Sequence, residues 1–312
     1  MDKWGVVFCP KRKNSKKEWK RFADVLKKKH VEYDHVQSSE NTGVMEMVRM
    51  FVDNNYHTII IIGGDADLND AVNCLMQCDV SVREKTALGV IPNGLLNDFA
   101  RFWNLDEEKV EETIDALIRH RERRIDVGCI HYHAMTDEGD ERNCKRYFIN
   151  CVNVGLAAAI TKLRRQTRTF FEKYIGTDPL SYAFSTLLLG FQRLEYKMRI
   201  LINDDEIDQT VMTVCIGNGK GYGQTPSAVP YNGKLDVSIV SNAGVTSFAQ
   251  GAYLLLNNRF LNSASVHPYR TEKVVFEKAR HALVSVDGRI LSTPKGEFYI
   301  DIEQETLNFL IP

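Results

Sequence analysis

The chain has 312 residues, of which 44% are hydrophobic and 26% are charged, and its formal net charge is −1 at pH 7. This composition predicts a globular protein of about two domains, and the near-zero net charge argues against nucleic acid as a partner. No run of about 18 apolar residues occurs, so the sequence predicts no membrane-spanning helix.

The sequence also indicates a reducing compartment. In residues 1–13, MDKWGVVFCPKRK, the basic residues follow the apolar stretch, which predicts a first strand and not a secretory signal. Seven cysteines are scattered through the chain without a C-x-x-C pair. We therefore expect free thiols in a cytoplasmic protein.

Residues 1–120 are predicted to alternate strands with helices. Short apolar runs predict strands at residues 4–9, 31–36, 58–62 and 87–91. Apolar residues three and four positions apart predict helices at residues 16–30, 43–55, 67–77, 97–105 and 107–120. This alternation is typical of a parallel sheet with helices on both faces, where phosphate binds beyond the carboxyl ends of the strands.

Strand patterns dominate the rest of the chain and predict an antiparallel sandwich or barrel. They cover residues 123–135, 146–156, 196–204, 210–218, 234–242, 273–278, 282–288, 297–302 and 306–312. Residues 137–144 predict a hairpin tip, and helical patterns cover residues 156–175, 179–194 and 245–258. We place one domain at residues 1–125 and a second at 126–312, and leave open whether the last strands return to the first domain.

Two loops of the first domain carry the most specific signal. The stretch TIIIIGGDADLNDAV, residues 58–72, runs from a buried strand through two glycines into a helix, as phosphate-binding turns do. The next strand leads into PNGLLNDFAR, residues 92–101. Together the loops resemble the diacylglycerol kinase catalytic family, whose members carry G-G-D-G-T-L-N-E and P-L-G-T-G-N-D-F-A-R at these places.

The resemblance continues in the same order along nearly the whole chain. The later segments that are similar to family motifs are RRIDVG, YFINCVNVGLAAAI, LSYAFSTLL, IGNGKGYG, GKLDVSIV and VSVDG. The resemblance implies a parallel α/β domain of the NAD kinase and diacylglycerol kinase type, followed by a C-terminal antiparallel β-sandwich. It also implies transfer of the γ-phosphate of ATP, with Mg²⁺, to the hydroxyl of a lipid substrate.

The resemblance further implies which residues form the site. Asp287 corresponds to the family's general base. The residues that correspond to its nucleotide-binding loops are Gly63, Gly64, Asp65, Asn69, Gly94, Asn97 and Asp98. The metal ligands stay undefined, with Asn232 and Asp236 as weak candidates.

Several departures from the family pattern fall at positions that the resemblance assigns to the reaction. Leu95 and Leu96 replace a threonine and a glycine, and leucine in a glycine-only conformation costs on the order of 1–3 kcal/mol. Asn232 replaces an acidic residue, and a neutral amide binds Mg²⁺ less well than a carboxylate. Arg289 replaces the glutamate two residues after Asp287, and a neighbouring cation weakens a carboxylate base.

The first loop departs most clearly, because Ala66 and Asp67 replace a glycine and a threonine. A carboxylate accepts hydrogen bonds but cannot donate one to phosphate, and a free helix N-terminus favours negative charge. We therefore expect Asp67 to be the N-cap of the following helix, with Asp70 as the acidic partner of a capping box. The loop would then bind its own carboxylate where relatives bind phosphate.

Two functional hypotheses follow. The first is a lipid kinase with unusual motifs that uses ATP and Mg²⁺. The second is a kinase-fold protein without catalysis that binds a lipid or another ligand in a regulatory role and needs no cofactor. The sequence leaves the oligomeric state open.

Other features have weaker functional interpretations. Ten lysines and arginines lie within residues 10–30, and RRQTR covers residues 164–168. Both segments allow peripheral contact with an anionic membrane, although the first is more typical of a solvated helix face. His131 and His133 face the same side of a predicted strand, but two histidines without further ligands do not define a metal site.

Overall fold

A computed structural model describes residues 2–10, 15–39, 42–94, 97–135, 141–174, 195–241, 250–291 except 252, 256 and 258, and 294–312. The chain forms two compact units. The first contains Met1–Val127 and Gln304–Pro312, and the second contains Gly128–Glu303. No helix in these described ranges is long and apolar enough to cross a bilayer.

The first unit shows the predicted alternation of strands and helices. Its strands before residue 120 are β1 (Trp4–Phe8), β2 (Tyr33–Gln37), β3 (Thr58–Gly63) and β4 (Ala87–Pro92). Its helices are α1 (Ser15–Lys28), α2 (Val44–Asp53), α3 (Asp65–Met76), α4 (Val80–Arg83), α5 (Asp98–Phe102) and α6 (Val110–Ile118). The sequence patterns missed α4 because four residues are too few to show helical periodicity.

The strands of the first unit form a parallel sheet in the order β2-β1-β3-β4. A fifth strand, β15 (Lys295–Ile311), adds to β4 in parallel through Asn308 and Phe309. Phe22 of α1 packs with Trp4 in one core cluster, whereas a Cβ on the neighbouring Gly5 would lie 2.7 Å from Phe51 of α2. Neighbouring strand residues face opposite sides, so helices cover both faces and the prediction is confirmed.

The second unit is dominated by strands. They are β5 (Arg121–Met135), β6 (Glu141–Phe148), β7 (Cys151–Gly155), β8 (Tyr196–Ile202), β9 (Asp205–Gly217), β10 (Leu235–Ser241), β11 (Val266–Thr271), β12 (Lys273–Ala279), β13 (Val284–Val286), β14 (Arg289–Ile290) and β15. One helix, α7 (Leu156–Tyr174), follows β7. Strands β5 and β15 both continue from one unit into the other.

Antiparallel pairing connects these strands in the order β14-β13-β7-β9-β8-β12-β15. The long strand β9 pairs with β8 over its first half and with both β7 and β10 over its second half. Fully buried apolar side chains from most of the strands form one core, which includes Phe148, Val214, Ile239 and Phe276. The predicted C-terminal β-sandwich is confirmed.

Several element boundaries differ from the predictions. The strands predicted at residues 297–302 and 306–312 form one strand, β15, which ends at Ile311 and whose two halves pair with β12 and β4. Residues 146–156 were predicted as one strand, but the chain breaks between β6 and β7 at residues 149–150. Strand β11 was missed because Pro268 and polar residues hide its alternation.

Other predictions fall on parts of the chain that the structure does not describe. These are residues 137–140 of the hairpin tip, the helix at 179–194, most of the helix at 245–258, the basic loop at 11–14, and Leu95 with Leu96. Residues 141–144, predicted as part of the hairpin tip, lie in β6.

All seven cysteines carry free thiols, and four of them lie in the sheet strands of the second unit. Burial is the main cause that raises the pKa of the Cys129 thiol to about 12 and that of Cys74 to about 11. Both thiols are therefore protonated at neutral pH and slow to react.

The β5–β6 pair supplies a test of the core packing. Gly128 lies opposite Phe148, and a Cβ on Gly128 would approach the Phe148 ring to 2.1 Å. We expect Gly128→Ala to lower the free energy of unfolding by about 1–3 kcal/mol through overpacking, measured by urea denaturation. Gly251→Ala is the control, because the described atom nearest to its Cβ would be Ser263 Oγ at 3.9 Å. Equal stability of the two variants would contradict this packing.

Candidate functional site

The two glycines after β3 form a tight turn into α3. Gly63 ends the strand, Gly64 is the N-cap with an extended backbone, and α3 begins at Asp65. Asp67 is therefore the third helical residue, and its Oδ2 accepts the N–H of Gly64 at 2.9 Å. The expectation that Asp67 is the N-cap is wrong, because the helix begins two residues earlier than predicted and Asp67 occupies the position of the capping-box acid.

The Asp67 side chain also fills the space above the turn. A Cβ on Gly63 would lie 2.8 Å from Asp67 Oδ2 and 2.9 Å from Asp67 Cβ. A glycine at this point of a phosphate loop gives an anion close access to the backbone. In this chain a carboxylate of the same loop lies against that backbone.

The second loop is closed by hydrogen bonds of an asparagine. Asn97 has left-handed backbone geometry with φ 50° and precedes α5. Its Oδ1 accepts the Gly94 N–H at 2.7 Å, and its Nδ2 donates to Gly94 O at 3.1 Å and to Glu107 Oε2 at 3.2 Å. Asn97, predicted to bind nucleotide, therefore holds its own loop together.

Asp65 joins the two loops. Its Oδ2 accepts the N–H of Asp98 at 3.0 Å, and its Oδ1 accepts the N–H of Phe99 at 3.2 Å. The loop backbones also touch, since a Cβ on Gly94 would lie 2.4 Å from the Cα of Gly64. The predicted residues Gly63, Gly64, Asp65, Gly94, Asn97 and Asp98 are thus brought together at the carboxyl ends of β3 and β4.

Two asparagines complete the surroundings of the loops. Asn69, a further predicted nucleotide residue, is fully buried in α3, and Asn73 Nδ2 donates to its carbonyl oxygen at 2.8 Å. Asn93 ties the second loop to the first strand and helix, because its Nδ2 donates to Glu18 Oε1 at 2.7 Å and to Cys9 O at 3.2 Å. The sequence analysis assigned Asn93 no role, and its polarity just after a predicted buried strand was the available signal.

Asp287, the predicted general base, lies in the second unit just after β13. Its side chain is 1% exposed, and it accepts backbone N–H groups from Ile149 at 2.9 Å, Asn150 at 3.1 Å and Cys151 at 2.8 Å. Its own N–H donates to Cys151 O at 3.0 Å. Three donors stabilise an ionised carboxylate, and here they fix the chain between β6 and β7.

Asn150 brings a third family segment to the same place. Its Oδ1 accepts the Gly221 N–H at 3.0 Å, and its carbonyl accepts the N–H groups of Asn218 and Gly219 at 2.9 and 2.8 Å. The segments YFINCVNVGL, IGNGKGYG and VSVDG therefore meet around residues 149–151. Sequence reasoning quoted Asn150 within a motif but assigned it no role.

The two weak metal candidates do not fit Mg²⁺ as they stand. Asp236 is bound by Arg270, whose Nε and Nη2 donate to Oδ1 at 2.6 Å and Oδ2 at 3.1 Å, and this hydrogen bonding raises the pKa of Arg270. The amide oxygen of Asn232 accepts the Lys234 N–H at 3.0 Å. A guanidinium already balances the carboxylate, so no step of a reaction is assigned to a metal here.

Comparison with known proteins defines the family. A model of the diacylglycerol kinase catalytic domain matches residues 4–130, and a model of the YegS C-terminal NAD kinase beta sandwich-like domain matches residues 150–301. The chain belongs to the diacylglycerol kinase family. Both units of this kinase-family protein are thus matched, in the order that the sequence motifs predicted.

Individual relatives are similar at low identity. A protein named probable lipid kinase YegS-like from Chromohalobacter salexigens is 31% identical over 186 residues, which is 58% of this chain and about half, 53%, of that protein. The diacylglycerol kinase of Bacillus subtilis is 23% identical over 248 residues, 78% of this chain and 74% of that protein. A diacylglycerol kinase structure from Bacillus anthracis matches with a TM-score of 0.67 at 15% identity, covering 100% of this chain and 97% of that one, and supports the fold.

The joint between the loops of this kinase-family protein is testable. Asp65→Ala removes the acceptor of two amide N–H groups, so we expect the free energy of unfolding to fall by about 1–3 kcal/mol. Urea denaturation measures the change. Asp24→Ala on the exposed side of α1 is the control and should change stability by less than about 0.5 kcal/mol. If the urea midpoint of Asp65→Ala equals that of the wild type, the hydrogen bonds of Asp65 do not stabilise the contact between the two loops.

The position of Asp287 supplies a second test. Asp287→Asn replaces an oxygen that accepts N–H groups with an amide that cannot, so we expect a loss of about 1–3 kcal/mol in unfolding free energy, measured in the same way. Asp208→Asn, an exposed position on β9, is the matched control. If Asp287→Asn unfolds like the wild type, the carboxylate does not hold the chain at residues 149–151.

Proposed function

We propose that this protein is a member of the lipid kinase family in which ATP-dependent phosphoryl transfer to a lipid hydroxyl is weak. The observation that carries the proposal is the hydrogen bond from the Gly64 N–H to the Asp67 carboxylate. Phosphate-binding turns work by offering free backbone N–H groups to an anion at a helix N-terminus. Here that N–H group is already bound by an anion that belongs to the chain.

Electrostatics support the same conclusion. Two full negative charges at 4 Å repel by about 1 kcal/mol in bulk water and by several times as much where solvent is partly excluded. Asp67 is only partly exposed and lies beside the turn. A triphosphate approaching this turn would have to displace the carboxylate or tolerate its charge, and both cost binding free energy.

The second loop offers no compensation among its described residues. The Gly94 N–H is bound by Asn97, and the first amides of α5 are bound by Asp65. The two loops therefore present hydrogen bonds that are already made. Nucleotide binding would require several of them to exchange for bonds to phosphate, and an exchange of equal bonds yields little net free energy.

The position of Asp287 bears on the acceptor side. A general base needs a free lone pair within hydrogen-bond reach of the hydroxyl that it deprotonates. Both oxygens of Asp287 accept backbone N–H groups, and the side chain is 1% exposed. Three of the roughly four lone-pair sites of this carboxylate accept backbone N–H groups, and the burial of the side chain limits the access of a lipid hydroxyl. We assign it a positioning role for residues 149–151.

A second candidate is a protein of the same fold with no kinase activity, which binds a lipid or another ligand in a regulatory role. The engagement of both loops and of Asp287 favours it equally well. The two candidates differ in nucleotide binding, because a weak kinase must bind Mg·ATP at some concentration and the second candidate need not.

Calorimetric titration of the folded protein with Mg·ATP separates the candidates. We expect a dissociation constant in the millimolar range or weaker for the wild type. Asp67→Thr restores a hydroxyl donor and removes the charge, so we expect about tenfold tighter binding or more, corresponding to about 1.4 kcal/mol. Asp24→Thr, the same change on an exposed helix face, should leave binding unaltered.

The possible results have distinct meanings. Micromolar binding by the wild type would overturn the proposal that Asp67 blocks the turn, and assays of phosphate transfer to diacylglycerol vesicles would follow. Weak wild-type binding that tightens in Asp67→Thr supports the weak kinase. Absence of binding in both proteins, with normal circular dichroism, favours the second candidate.

A further inference from the structure

Three metal-ligating side chains meet on the sheet of the second unit. Cys129 and His131 lie two residues apart on β5, so they face the same side, and Asp301 lies on β15, which pairs with β5. The thiol sulfur, an imidazole nitrogen and a carboxylate oxygen all lie within 4.8 Å of one another. His131 Nε2 is 3.1 Å from Asp301 Oδ1.

We propose that Cys129, His131 and Asp301 form a binding site for a transition-metal ion, with Zn²⁺ as the best match. Sulfur, imidazole nitrogen and carboxylate oxygen are the three protein ligand types of zinc. Bond lengths of about 2.0–2.3 Å in a tetrahedral arrangement place ligand atoms roughly 3–4 Å apart. The cluster is therefore close to binding geometry and needs only side-chain adjustments.

The histidine ring is held in place by its neighbours. It stacks on Tyr299, with ring centroids 4.4 Å apart and an interplanar angle of 9°. Lys273 Nζ in turn lies 4.3 Å from the centroid of the Tyr299 ring. A fixed ring costs less conformational entropy when it binds an ion, so the stack preorganises one ligand.

The cluster is closed on one side and open on the other. Cys129 is fully buried, whereas the side chains of His131 and Asp301 are 30% and 35% exposed. The sulfur would therefore bind an ion from the buried side, and one coordination position of the ion would face solvent. Zinc sites with three protein ligands and a water are built in this way.

The charges around the sulfur favour a cation. Asp301 and Glu303 both act on Cys129 with negative charge, and Lys145 opposes them. The nearest of these charges belongs to Asp301, which is itself one of the three proposed ligands. A divalent ion between Asp301 and the sulfur would neutralise this carboxylate and stabilise the thiolate that it binds.

The cluster differs from the arrangement that the sequence suggested. His133 was considered together with His131, but it is exposed and does not join the three ligands. The ligands that matter are a thiol two residues earlier and a carboxylate 170 residues later. All three lie in the second unit, so this inference does not depend on nucleotide binding.

Zinc affinity of the full-length, reduced protein is the test. Competition with a chromophoric chelator should give one Zn²⁺ per chain with a dissociation constant of about micromolar or tighter. Cys129→Ser, His131→Gln and Asp301→Asn should each weaken binding about tenfold or more. His133→Gln and Cys144→Ser, the matched controls on β5 and β6, should bind as the wild type does.

A second readout identifies the sulfur ligand directly. Co²⁺ in place of Zn²⁺ should give a thiolate-to-cobalt charge-transfer band that Cys129→Ser abolishes and Cys144→Ser keeps. Because Cys129 is buried, Asp301→Asn serves as the variant that retains folding if Cys129→Ser does not. Absence of stoichiometric binding by the wild type, or equal binding by all variants, would reduce the cluster to a histidine–aspartate pair and overturn the proposal.

Discussion

Carboxylates that accept backbone N–H groups hold the irregular parts of this protein in place. Asp65 joins two loops, Asp67 binds the turn before α3, and Asp287 fixes the chain between β6 and β7. In the first unit Asp126 accepts the N–H of Glu305, where β15 has a left-handed residue. Charged hydrogen bonds of this kind are stronger than neutral ones, so short loops can keep one conformation without regular pairing.

This constraint bears on the chemistry because the same groups that could bind an anion are used to build the loops. In a phosphate-binding enzyme, free N–H groups destabilise the unliganded fold, and the bound ligand offsets this loss of stability. Here carboxylates of the chain itself accept hydrogen bonds from those groups when no ligand is bound. Such an arrangement lowers the affinity for an external anion, and the proposed function rests on this loss.

The parts of the fold that the sequence predicted are those that depend on local pattern. The strand at residues 58–62 was predictable because four consecutive isoleucines, all fully buried, admit no other position than a central strand. The cap of α3 was misplaced by three residues because Gly64, with no side chain, gave no signal of where the helix begins. The family motifs did not help to place this cap, since Ala66 and Asp67 depart from those motifs.

The parts that could not be predicted depend on partners distant in sequence. The three amides that bind Asp287 lie 136 to 138 residues before it, and no pattern near Asp287 shows them. The pairing of Asp236 with Arg270, 34 residues later, is also invisible to a local pattern, and it has a lasting consequence. An ion from solution balances a carboxylate only at concentrations that keep its site occupied, whereas a guanidinium in the same chain is present at any ion concentration. The region around β10 and β11 therefore keeps its charge balance when the cellular supply of divalent ions changes.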